Sequence, residues 1–283
     1  MQVRRLLSLV VALAAFILFA AVWAMRQSEQ RWPQASPLGR IVVAAPLQIL
    51  LAGGDRFLAA NIESVRSVVT SDDSPEAAAV NTSFAIRVRQ NVARLNPCHE
   101  DNYYFGNALL TWGGAVAEGN DLLRRAYECR SWDEVPAFFY GFNQYFFLRD
   151  LDGATRALEI AAQRSAENAA PLRKLAIMLV AGEFDDEQSA LDYLQAEREK
   201  ADDPRLKAML NKRAGRLKGL LALRDAQREY ESRSGRSLVD PMALINTGLM
   251  EAFPIDPMGI GYEFHEGRFR LREIQIAGME NLR

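Results

Sequence analysis

The chain has 283 residues and a formal net charge of −2, with 49% hydrophobic and 25% charged residues. This length is sufficient for one or two domains that each have a hydrophobic core. The near-neutral charge argues against a nucleic-acid partner, because such proteins carry a basic stripe or patch. The composition therefore favours a globular protein that does not bind nucleic acid.

The segment from Leu6 to Met25 contains no charged residue and directly follows two arginines. A helix of this length spans about 30 Å, which is the thickness of the hydrocarbon core of a bilayer. We expect a retained, single-pass anchor in the bacterial inner membrane, with the amino terminus in the cytoplasm and the bulk of the chain in the periplasm. A cleavable signal peptide is the alternative, because Val22 and Ala24 satisfy the small-residue rule for cleavage.

The two cysteines of the chain, Cys98 and Cys129, agree with export. In an oxidising compartment such a pair is typical of one disulfide. Closing a loop of about 30 residues would stabilise the fold by roughly 3–4 kcal/mol if the effect is the lost entropy of the unfolded chain. Two buried thiols that never meet are the alternative.

Apolar residues at helical intervals predict a mainly α-helical fold. Gly53 and Gly54 interrupt the first helical stretch, so that two helices or one broken helix are expected there. The apolar positions of that stretch are Leu47, Leu50, Leu51, Phe57, Leu58, Ile62, Val65, Val68 and Val69. The predicted order is an anchor at 1–26, a linker at 27–40, a helical region at 41–95, helical pairs at 96–202, a long helix at 203–236 and a turn and β-hairpin region at 237–283.

The helical pairs have a repeat-like spacing. The clearest pair runs from Pro136 to Ser165, with a tight turn at residues 149–152. The step from Ala154 to Ala190 is about 36 residues, close to the tetratricopeptide period of about 34. Residues 96–202 resemble membrane-anchored bacterial tetratricopeptide-repeat-like proteins. The resemblance implies an α-solenoid whose extended surface docks other proteins.

The carboxy-terminal region changes character. Alternating aromatic residues at 262–264 and 269–271 flank a glycine-containing turn, which predicts a small β-hairpin. The stretch from Leu238 to Tyr262 carries a P-x-D-P-x-G-x-x-Y pattern and resembles the carboxy-terminal part of type II secretion pseudopilins. That resemblance implies a small fold or turn in common with those proteins.

Sequence motifs for catalysis are few. The chain has two histidines, His99 and His265, and neither zinc-site spacing nor a phosphate-binding glycine loop. Acidic pairs lie at predicted helix starts and turns, where carboxylates favour the helix dipole. We therefore expect neither enzymatic activity nor a cofactor or a bound metal. A carboxylate-based hydrolase of envelope polymers is an alternative of another class.

An aromatic run at 138–147 exceeds what a surface helix needs, and burial on two sides is the plain explanation for it. The alternative is a concave groove that binds a peptide or a glycan, for which tyrosine offers both contact area and a hydroxyl group. The candidate groove residues are Tyr103, Tyr104, Tyr140, Asn143 and Gln144. The leading hypothesis is a periplasmic scaffold that docks envelope or membrane proteins of a secretion, pilus or polysaccharide machine. A groove-based ligand-binding module is the runner-up.

Overall fold

The computed structural model describes residues 16–19, 41–69 and 78–272. The fold is mainly helical and ends in a two-stranded antiparallel sheet, as the sequence predicts. The chain divides into two compact units, one up to Leu122 and one from Leu123 onward. Across the described ranges, no helix combines the length and the apolar character needed to cross a bilayer. The predicted anchor lies outside the described residues except for a helical piece at 16–19.

The first unit consists of short and medium helices connected by tight turns. Its elements are α1 (Ala45–Leu51), α2 (Arg56–Val69), α3 (Ala78–Leu95), α4 (Glu100–Gly106), a π-helical turn (Asn107–Thr111) and the first half of α5 (Val116–Cys129). The predicted break between α1 and α2 is confirmed, because Gly53 and Gly54 adopt φ of +67° and +92°. The Asp55 carboxylate then caps α2 by accepting from the backbone N–H groups of Phe57 and Leu58, at 2.8 and 3.0 Å.

The core between the first three helices combines four alanines with a few larger aliphatic residues. Helices α1, α2 and α3 pack against one another. The shared cluster comprises Ala45, Ile49, Ala52, Ala59, Ala60, Val92 and Leu95. Arg56 fixes the pair α2 and α3 from the side, since its Nε donates to the carbonyl oxygen of Leu95 at 2.5 Å.

The second unit contains the later part of the predicted helical pairs at 96–202, and the part up to Leu122 belongs to the first unit. The helices of the second unit after α5 are α6 (Val135–Leu148), α7 (Leu151–Arg164), α8 (Ala169–Ala181), α9 (Glu187–Lys200), α10 (Pro204–Ser234) and α11 (Ala243–Asn246). Successive helices pack on each other from α6 to α10, and α8 also contacts α10. Helical packing of neighbours in sequence order is what the repeat-like spacing predicts.

The residues between α6 and α7 explain why the chain reverses its direction there. Arg149 adopts the left-handed conformation with φ of +56°, which ends α6. Asp150 caps α7 by accepting from the N–H of Gly153 at 2.8 Å. The two helices approach closely at Gly141, where an added Cβ would lie 3.0 Å from the Ala154 carbonyl oxygen. A small residue is therefore required at this helix contact.

The long helix and the predicted hairpin are both confirmed. Helix α10 begins with the Asp203 cap and Pro204 and ends at Gly235, whose φ is +65°. Strands β1 (Tyr262–His265) and β2 (Arg268–Leu271) pair antiparallel, with Phe264 opposite Phe269. The strands pack on α10 in a cluster that comprises Leu220, Leu223, Ala226, Leu238, Leu244 and Phe269.

Candidate functional site

The residues of the predicted aromatic groove have different environments. Tyr103 is buried on α4 and Tyr104 is exposed, and both belong to the first unit. In the second unit, Tyr140 is half-buried on α6, with its ring centroid 5.3 Å from that of Tyr127. Asn143 and Gln144 are buried on the same helix. Their amide groups are therefore not on the solvent side of α6, where a groove would need them.

Both cysteines are disulfide-bonded and neither is a free thiol, which confirms the predicted disulfide of Cys98 and Cys129. The two histidines have separate structural positions. His99 caps α4, with its Nδ1 accepting from the N–H of Asn102 at 3.3 Å, and His265 lies exposed at the end of β1. Within the ranges that the structure covers, no group of three or more His, Cys, Asp and Glu side chains could hold a metal ion.

A cleft of about 220 Å³ opens in the second unit where α8, α9 and α10 meet the end of β2. Its apolar wall includes Met178, Phe184, Leu217 and Leu271. The cleft is smaller than the pockets of about 300–1,000 Å³ that enclose drug-sized ligands. Its size fits one or two side chains of a bound peptide.

Arg213 is the polar feature that distinguishes this cleft. It is half-buried on α10, and no hydrogen bond or ion pair joins its guanidinium to another described residue. Burial, followed by the positive charge of Arg216, lowers the pKa of Arg213, while Asp256 opposes the shift. The guanidinium still carries its charge at neutral pH and offers five donors to a ligand.

The carboxylates at the rim of the cleft do not neutralise Arg213. Asp186 caps α9 by accepting from the Ser189 N–H at 2.8 Å, and Glu187 forms an ion pair with Arg224. The pKa of Asp186 is lowered, first by this backbone hydrogen bond. Asp185 is the third carboxylate at the rim, and it is exposed to solvent. Arg213 thus lines the cleft beside an apolar wall, and no carboxylate at the rim pairs with it.

Arg216 also lines the cleft, and it ties the hairpin to α10. Its Nη2 donates to the carbonyl oxygens of Arg272 and Gly261, at 2.6 and 3.3 Å, which flank the open end of the hairpin. Its Nε donates to Asp256 at 3.0 Å. The Tyr262 hydroxyl in turn donates to the backbone carbonyl of Arg216 at 3.1 Å. This network fixes the position of the hairpin relative to α10, next to the cleft.

Reasoning from the sequence missed the cleft. Asp256 belongs to the P-x-D-P-x-G-x-x-Y pattern and was visible as part of a turn. Arg213 and Arg216 are two of many basic residues on α10, so nothing in their spacing sets them apart. Comparison of the chain with protein-family models, with curated proteins and with solved structures found no match.

Proposed function

We propose that this chain is a single-pass inner-membrane protein whose periplasmic part is a tetratricopeptide-like helical scaffold that docks partners of an envelope assembly. The apolar segment at 6–25 supports membrane attachment, and the disulfide supports an oxidising compartment. The consecutively packed helices from α6 to α10 support a repeat-like scaffold. Docking partners would come from secretion, pilus or polysaccharide machinery.

One observation carries the docking proposal, which is the uncommitted Arg213 guanidinium beside an apolar wall. A carboxylate accepts two parallel hydrogen bonds from a guanidinium, and partial burial strengthens the pair. A neighbouring apolar side chain of the same ligand would pack on Phe184 and Leu217. The partner would therefore present a short segment with an acidic side chain or a terminal carboxylate next to an apolar residue.

The proposal is tested by the partners that the protein retains in cells. Full-length protein carrying Arg213→Gln is crosslinked in cells, solubilised in mild detergent and purified beside the wild type. Arg213 has no bond to another described residue, so this substitution should leave the fold intact, and circular dichroism checks that expectation. Arg228→Gln is the matched control, because Arg228 is an exposed arginine of the same helix.

We expect a defined set of envelope proteins to be lost from Arg213→Gln and kept by Arg228→Gln. Equal recovery in both variants would show that the cleft does not dock these proteins. A protein that purifies alone, yet binds a synthetic acidic peptide through Arg213, would support a ligand-binding module in place of a scaffold.

A further inference from the structure

Helix α2 has small and polar residues on its buried face and large apolar residues on its exposed face, the reverse of the usual arrangement on a protein surface. Its buried face consists of small or polar residues, namely Ala59, Ala60, Glu63, Ser64 and Ser67. Its exposed face carries large apolar residues, namely Phe57, Leu58, Ile62, Val65 and Val69. A helix on the surface of a soluble domain turns its large apolar residues toward the core. The orientation of α2 is therefore the reverse of the one expected for a helix whose outer side faces water.

Helix α1 repeats this inversion. Its inward residues are Ala45 and Ile49, which pack on the cluster shared with α2 and α3. Its outward residues Leu47, Leu50 and Leu51 are 50%, 72% and 75% exposed. We call the outward residues of both helices the α1–α2 apolar face; they are Leu47, Leu50, Leu51, Phe57, Leu58, Ile62, Val65 and Val69. An exposed cluster of this kind is characteristic of a membrane or protein contact.

The charged residues of α2 lie at its first position, Arg56, and on or beside its inner side, Glu63 and Arg66. Glu63 is buried and accepts two hydrogen bonds from Arg66, at 2.8 and 2.7 Å. The Arg66 guanidinium also lies over the ring of Phe84, 5.5 Å from its centroid. Beyond the helix start, Asn61 is the one polar residue exposed on α2. The face thus carries one cation at its edge, the Arg56 guanidinium 5.7 Å from the ring centroid of Phe57, and its remaining residues are apolar.

The packing pattern favours a lipid contact over a second protein. Helices in hydrocarbon place small residues at their mutual contacts and direct large aliphatic side chains outward, as α1 and α2 do here. With 14 residues, α2 is about 21 Å long at 1.5 Å per residue, which is too short to cross a bilayer. A helix of this kind lies along the membrane interface, with its apolar face among the acyl chains.

The position of the face in the chain provides the second argument. The proposed anchor ends near residue 25, and residues 26–40 separate it from the described part. Fifteen residues reach at most about 50 Å when fully extended. We infer that the α1–α2 apolar face rests in the outer leaflet of the membrane that holds the anchor. This inference relies on the membrane attachment given under the proposed function.

The experiment places an environment-sensitive fluorophore on this face of the full-length protein. The native cysteines are disulfide-bonded, so that a new cysteine is the single reactive thiol under nonreducing conditions. Val65→Cys reports on the face, and Arg87→Cys is the control in the same unit, because Arg87 is an exposed charged residue of α3. Both proteins are reconstituted in vesicles of phosphatidylethanolamine and phosphatidylglycerol, with and without a spin-labelled lipid that quenches the fluorophore.

We expect the label at residue 65 to shift to the blue and lose most of its emission to the lipid quencher, while the label at residue 87 does neither. An alkaline wash of the vesicles tests membrane attachment independently. Retention after the wash without quenching at residue 65 would overturn the inference and leave the anchor intact. Release by the wash without quenching would overturn both. A blue shift that rises with protein concentration in lipid-free detergent, without lipid quenching in vesicles, would assign the face to a second copy of the chain and overturn the inference.

Discussion

The Arg216 guanidinium and the Asp256 carboxylate form a buried ion pair across 40 positions of sequence, with Nε and Oδ2 3.0 Å apart. Asp256 also accepts from the backbone N–H groups of Met258 and Gly261, at 2.8 and 2.7 Å. One carboxylate thus organises the turn before β1 and attaches it to α10. Buried charges of this kind are tolerated because their partners and hydrogen bonds are complete.

Asp256→Asn should destabilise the protein by about 3–5 kcal/mol, because it leaves the buried Arg216 charge uncompensated. Asp240→Asn is the control, since Asp240 is an exposed residue of the same segment and caps Met242 through an oxygen that asparagine also supplies. Equilibrium urea unfolding of the full chain measures both variants. A loss of stability equal to that of the control would show that the ion pair does not hold the segment.

The same carboxylate predicts a dependence of stability on acid. Burial alone would raise the pKa of Asp256, but the backbone N–H groups and the Arg216 charge lower it overall. A carboxyl whose pKa is lower in the folded state contributes stability above its unfolded value of about 3.9. That contribution is lost as the pH falls through the folded pKa. Melting temperatures between about pH 6 and pH 3 should therefore fall more steeply for the wild type than for Asp256→Asn.

Gly219 provides a test of the contact between α10 and β1. An added Cβ would overlap the Tyr262 hydroxyl, so Gly219→Ala should destabilise the protein by about 1–3 kcal/mol despite the better helix propensity of alanine. Gly215→Ala is a milder comparison, because its Cβ would lie 3.0 Å from Pro257 Cγ. Thermal unfolding measures each variant.

Tyr262→Phe should recover part of the stability that Gly219→Ala removes, because it deletes the oxygen that the new methyl group meets. In the wild-type background the same change should instead cost about 1 kcal/mol, since it removes the hydrogen bond to the Arg216 carbonyl. Additive effects of the two substitutions in a double-mutant cycle would contradict the contact.

His99 predicts a second dependence on pH, in the first unit. Burial, opposed by Asp101 and assisted by the Arg89 charge, lowers the pKa of His99, and its neutral Nδ1 caps α4. A histidine with a lowered folded pKa contributes stability above its unfolded value of about 6.5 and loses it as the pH falls through the folded pKa. His99→Asn keeps a capping group and should remove this part of the pH profile. His99→Ala removes the cap and should lower the free energy of unfolding by about 1 kcal/mol at neutral pH.

Chemical unfolding between about pH 8 and pH 5 distinguishes the two variants. An unchanged profile in His99→Asn would contradict the contribution of His99 to the pH dependence, and equal stability of His99→Ala and His99→Asn at neutral pH would contradict the capping role.

Local signals allowed most of the helices to be predicted. Asp203 and Pro204 mark the start of α10 and Gly235 its end, as capping preferences require. The hairpin was visible in its alternating aromatic residues and in Gly267, whose φ is +75°. These features depend on neighbours within a few residues, which a sequence displays directly.

Features that depend on distant residues could not be predicted. The partnership of Arg216 with Asp256 joins two ordinary residues that the fold brings together. The apolar periodicity predicted helix α2, but periodicity does not state whether the apolar face meets a core, and here Ile62 and Val65 face outward. The sequence does not distinguish Arg213 from its basic neighbours on α10. The structure does, because Arg213 forms no hydrogen bond or ion pair with another described residue.

Arg216 donates to carbonyl groups on both sides of the hairpin, at Gly261 and Arg272. A pulling force applied to the chain beyond Arg272 would therefore act first on these two hydrogen bonds and only afterwards on the pairing of β1 with β2. Because Arg216 belongs to α10, the two hydrogen bonds pass this force to a helix of 31 residues that packs on α8 and α9. The two hydrogen bonds of Arg216 would therefore protect the pairing of β1 with β2 against tension on the chain after Arg272.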